Sequence, residues 1–159
     1  MNVRIALAIT SLAALSAVTT ARAQTTSLNP CSLLSTKQVA TVHVDTSCTV
    51  LRGKPNPLYA GVTATWGKLA GKGSVIVAVD RAKSRSYIAF WKTNHVPGKS
   101  WGIGSWSRGT CTSGGTYCYA SFIVGENIVV IQVAPPAAKP ISVTKPTIAM
   151  AKTIASKLS

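Results

Sequence analysis

Val75-Ile76-Val77-Ala78-Val79 constrains the fold of this chain more than any other stretch. Five successive apolar residues with no alternation leave a strand no face for water, so this segment belongs in the middle of a sheet covered on both sides or at a buried edge. Residues 62–66 form a second strand that reaches it through the glycine-bounded connection Gly67-Lys68-Leu69-Ala70-Gly71-Lys72-Gly73. Two more strands are expected at 117–124 and 127–133, reversed at Gly125-Glu126-Asn127.

Helix signals punctuate the strands. Asn29-Pro30 supplies a cap and a first-position proline. Ser35-Thr36-Lys37-Gln38 reads as a capping box opening a short helix to about Val42. Arg52-Gly53-Lys54-Pro55-Asn56-Pro57 is a loop. From Arg81, behind a possible cap at Asp80, Tyr87, Ile88, Trp91 and His95 recur at helical spacing over 81–95. The proline-rich stretch 134–140 is a stiff linker. A final helix from Lys145, capped by Thr144, aligns Ile148, Ala151, Ile154, Ala155 and Leu158. The expected fold is α+β: an antiparallel sheet of four to five strands with helices packed on one face. It reads as a helix-strand-strand unit used twice, followed by a C-terminal helix.

The N-terminus reads as an export leader. Arg4 gives a positive head, an apolar run of about 14 residues follows, and Ala21-Arg22-Ala23 is a small-x-small cleavage site. That run is too short to span a hydrocarbon core of about 30 Å, and no later segment is long enough, so no integral membrane segment is expected after its removal. The expected organisation is a signal peptide, 1–23, and one α+β domain, 24–159, in the periplasm or outside the cell. Leu28-Asn29-Pro30 before Cys31 is not a lipoprotein processing sequence, so no lipid is expected either.

Four cysteines in an oxidising compartment favour two disulfides over metal ligation. Cys111 and Cys118 bracket a stretch containing Gly114-Gly115 and face each other across a hairpin neck, which leaves Cys31 for Cys48. A zinc site with His43 or His95 would need CxxC-like spacing, which is missing, and no metal or cofactor is implied. His43 follows the first helix, where a cation near the last carbonyls is mildly favourable.

The chain carries a net charge of +14. Without Arg4 and Arg22, fifteen Lys and Arg face Asp45, Asp80 and Glu126, a net of +12. Such a surplus attracts polyanions: anionic polysaccharide, lipid phosphate head groups or extracellular nucleic acid.

Asn29-Pro30-Cys31-Ser32-Leu33-Leu34-Ser35 resembles the Pro-Cys-Ser-Leu-Leu-Thr opening of a group of exported bacterial proteins of unknown function, best known as small actinobacterial lipoproteins. In that group a short helix, a second cysteine, a Gly-Leu-Gly-type turn, two strands and a C-terminal helix follow. Cys48, Gly102-Ile103-Gly104, residues 127–133 and residues 148–158 fall in matching order. The chain departs from the group at Gln38, where an acid is usual, near His43-Val44-Asp45, where a glycine is expected, and at Ser105, where an acid is common. It also lacks a lipobox and adds the Cys111/Cys118 pair. The resemblance implies an envelope or secreted α+β domain and transfers no catalytic residue.

Reactive groups are few. Carboxylate-pair chemistry would have to come from three acids, two of which have structural duties at a cap and a turn. Gly102-Ile103-Gly104-Ser105-Trp106 lacks nucleophile-elbow spacing, and Ala70-Gly71-Lys72-Gly73 lacks the phosphate-loop pattern. No enzymatic activity is expected. The binding candidate is the acid-free stretch 81–108, where Arg81, Lys83, Arg85, Lys92, Lys99 and Arg108 interleave with Tyr87, Phe90, Trp91, Trp101 and Trp106. Among the aromatics Trp91, Trp101 and Trp106 are taken as ligand contacts, since aromatic planes beside cations suit sugar rings, bases or an interfacial position. An unrecognised hydrolase site and a protein-protein module such as an inhibitor are the competing readings. Intact-mass analysis of exported protein should give a chain starting at Gln24; retention of residues 1–23 would contradict the leader assignment.

Overall fold

The computed structural model describes residues 28–51, 61–68, 71–81, 85–94 and 98–159; the leader expected at 1–23, the loop expected at 52–57, Lys83 and His95 lie outside them. Asn29 accepts the Cys31 N–H on its side chain at 3.1 Å, and Pro30 takes the first position of a 3-10 turn, Pro30–Leu33. Helix α1, Thr36–Ala40, opens on the capping box: the Gln38 N–H donates to Ser35 Oγ at 3.3 Å, and the Ser35 N–H donates to Gln38 Oε1 at 3.0 Å. The turn after α1 ends at His43, whose φ of 58° is left-handed. This is where a glycine normally releases a helix.

Six strands follow the expected antiparallel pattern, more than the four to five anticipated. They are β1 (Cys48–Leu51), β2 (Val62–Gly67), β3 (Ser74–Arg81), β4 (Trp106–Cys111), β5 (Cys118–Val124) and β6 (Asn127–Ala134). Their order is β1-β2-β3-β6-β5-β4. Each half is a three-strand meander, and the halves meet where β3 runs against β6 from Ser74↔Ala134 to Arg81↔Asn127. The repeated unit is therefore a helix with three strands, not two. The unanticipated strands are the two edges.

Helix α2, Arg85–Asn94, helix α3, Thr144–Leu158, and a second 3-10 turn, Ser113–Gly115, complete the described elements. The expectation that all helices share one face is corrected by side-chain alternation. On β6, Val129, Ile131 and Val133 join Phe122, Trp66 and Val77 in a core closed by Val39 of α1 and Met150, Ala151 and Ile154 of α3. The alternate residues Ile128 and Val130 pack with Ala78, Ile123 and Trp91 of α2 on the opposite face. Both sides of β3 are thus dry over part of its length, as an apolar run requires. Each fully buried large aliphatic or aromatic side chain here contributes about 1.5–3 kcal/mol.

Both expected disulfides form: Cys31–Cys48 with Cα atoms 5.9 Å apart and Cys111–Cys118 with 4.1 Å. The first ties the N-terminal turn to edge strand β1. The second joins directly opposed residues of β4 and β5, and its hairpin turn meets the start of α3, where the Val143 N–H donates to the Gly115 carbonyl at 2.8 Å. A Cβ on Gly115, at φ 71°, would fall 2.6 Å from the hydroxyl oxygens of Ser142 and Thr144.

Replacing His43 by Gly should raise stability by about 0.5–1 kcal/mol, the left-handed penalty less the entropy glycine loses. Urea unfolding checks this, and a destabilised His43→Gly would show that the imidazole makes a compensating contact.

Candidate functional site

Helix α2 and edge strand β4 carry most of the candidate residues. Asp80 does not cap α2; it belongs to β3, and its carboxylate accepts the Tyr87 hydroxyl at 2.8 Å, pinning the first turn of the helix to the sheet. Burial foremost, together with the bond to Asp80, pushes the Tyr87 phenol above its ordinary value. Trp91 lies beneath the helix, 4% exposed, and is core rather than a ligand contact. Arg85 and Lys92 project from the same helix into solvent, Lys92 in the last turn where a cation complements the helix dipole. Phe90 also stands out from α2, 56% exposed.

Trp106 begins β4 beside Ile123 and packs half-buried into the α2 cluster. Arg108, two residues along the same strand face, is exposed, and its Nη1 donates to the Gly98 carbonyl at 3.0 Å. Lys99 is exposed at the outer edge, where its backbone pairs with Gly109. Trp101 goes elsewhere. It packs against the α1/α3 core, and a Cβ on Gly109 would meet its indole at 2.3 Å. Arg81 extends from the end of β3 to bond Glu126 at 2.8 and 3.0 Å, an exposed pair of small energetic value. Lys83 lies outside the described residues.

The fold therefore brings Arg85, Lys92, Trp106 and Arg108 to the α2 side, leaves Lys99 at its margin, and separates Trp91, Trp101 and Arg81 from that set. Phe90 was missed. It falls off the Tyr87-Ile88-Trp91 stripe, and helical spacing alone could have marked it as outward.

The acids are already engaged. Asp45 accepts the Ser47 N–H at 2.8 Å, which holds its carboxyl below the usual carboxylate range. Asp80 serves Tyr87 and Glu126 serves Arg81. Every Lys and Arg among the described residues is exposed, and among those residues one ion pair forms. No group of three His, Cys, Asp or Glu that could hold a metal comes together among the described residues. Ser121, buried between Arg108 and Val130, has a hydroxyl with no hydrogen-bond partner. No described histidine is on its face: His43 follows α1 on the other side of the sheet.

Two further surfaces depend on tertiary geometry. One unburied row, Thr49-Thr65-Ile76-Gln132-Tyr119-Thr110, crosses all six strands beyond α2 and carries no charge. On the opposite face, a groove of about 310 Å³ runs between α1 and α3, lined by Gln38, Thr41, Lys145, Pro146, Ala149 and Met150. Among the described residues no helix is long and apolar enough to cross a membrane. Compared with protein-family models, curated proteins and solved structures, the chain matches none.

Tyr87→Phe should cost about 1 kcal/mol through loss of the Asp80 bond. Because the folded state raises the phenol, its contribution is complete below the unfolded value of 10.0 and is lost as pH rises above it. Urea unfolding at pH 8 and pH 10.5 should show a smaller alkaline loss in the variant, with part remaining because burial also raises Tyr117. Identical losses would mean that Tyr87 titrates as it does in the unfolded chain.

Proposed function

We propose that this protein is an exported, non-catalytic binding domain whose α2 side engages an anionic envelope or extracellular polymer. The observation that carries the reading is the charge state of that side. Arg85, Lys92 and Arg108 are exposed on the α2 side of the sheet, which also carries Trp106 and Phe90, while Asp80 and Glu126 are engaged by Tyr87 and Arg81. Cations without a carboxylate partner keep their attraction for an external polyanion, and aromatic planes on the same side suit sugar rings or an interfacial position. Two disulfides agree with an oxidising compartment. The likeness of residues 29–35 to the opening of the exported bacterial group points the same way.

Counterion release makes such binding fall steeply with salt. Reversing Arg85 and Lys92 to Glu should lower retention on immobilised heparin far more than reversing Lys145 and Lys152, which lie on α3 across the sheet. Equal losses from the two pairs would reduce the effect to generic charge, and salt-independent retention would discard the polyanion.

A further inference from the structure

We propose that the groove between α1 and α3 binds a long-chain carboxylate, with its tail along Pro146, Ala149 and Met150 and its head at the Lys145 ammonium. This site stands apart from the α2 surface and does not depend on it. Its volume, about 310 Å³, is at the small end of ligand pockets. The polar side chains that line it, Lys145 excepted, are satisfied from within the fold. Gln38 Oε1 accepts the Ser35 N–H and hydroxyl, each at 3.0 Å, and Gln38 Nε2 donates to Thr153 Oγ1 at 2.8 Å. The Thr41 hydroxyl donates to the Gln38 carbonyl at 2.6 Å. These groups have little left to offer a polar ligand, and the rest of the lining is hydrocarbon, with Met150 buried at 1% exposure.

Lys145 differs. It is exposed in the first turn of α3, where no acid is present and where the helix dipole disfavours a cation. Among the described residues it makes no hydrogen bond or ion pair. An anion at the mouth of the groove would neutralise this ammonium and complement the helix end together. One lysine matches a monoanionic head, and the apolar lining matches one alkyl chain.

Titration calorimetry of the full chain with dodecanoate, below its micellar concentration, tests the assignment. One equivalent should bind. Ala149→Trp places an indole in the groove from an exposed position and should abolish binding, while Lys145→Gln should weaken it about fivefold. Dodecyltrimethylammonium should not bind. Thermal melts establish that both variants fold, and unchanged heparin retention of Ala149→Trp separates this site from the polyanion surface. No uptake of dodecanoate, binding that survives Ala149→Trp, or equal binding of the cationic amphiphile would each overturn the proposal.

Discussion

The antiparallel seam between β3 and β6 is the constraint on which the rest of the structure depends. It joins the two meanders into one sheet, and it places Val75, Val77 and Val79 on one face and Ala78 on the other. A slip of one residue would turn every side chain of a meander to the wrong layer. Apolar residues on both sides of the seam therefore demand cover on both sides, which α1 and α3 supply beneath and α2 supplies above. The position of α2, and of every cation it carries, follows from that demand.

Most local signals in the sequence match the structure, although Thr144 is the first residue of α3 and not its cap, whereas features dependent on pairing do not show in the sequence. Ser35 and Gln38 lie at capping-box spacing, and the box forms. Asn29-Pro30 opens a turn, and Gly125 reverses β5 into β6. The hairpin geometry of Cys111 and Cys118 gave one disulfide directly and the other by elimination. Strand β1 escaped because four residues, Cys48-Thr49-Val50-Leu51, are too few to show a period. Strand β4 escaped because Ser107, Arg108 and Gly109 read as loop; Gly109 is a glycine in a strand because the Trp101 indole lies where its side chain would be. Asp80 looked like a cap from its position before a helical stripe, whereas β3 runs through it and α2 begins at Arg85.

The same distinction applies to the candidate site. Sequence proximity grouped Trp91, Trp101 and Trp106, but a strand period and a helix period distribute them into a core beneath α2, the α1/α3 layer and the margin of the α2 cluster. Arg85 and Lys92 were recognisable because seven residues are close to two helical turns and both avoid the apolar stripe. The α1/α3 groove was invisible in the sequence. Its walls are more than 100 residues apart, and the amide that bridges them, Gln38 to Thr153, also serves a capping box. The two sides offer different chemistry: several cations with aromatic neighbours above the sheet, one cation over hydrocarbon below it.

The central claim is that polyanions meet the α2 side of the fold. Amide and indole chemical-shift mapping during titration with a heparin-derived oligosaccharide tests it most directly. The account predicts perturbations concentrated at Arg85, Phe90, Lys92, Arg108 and the Trp106 indole, diminishing as salt is added. Shifts centred on α3, or spread evenly over all exposed lysines, would contradict it.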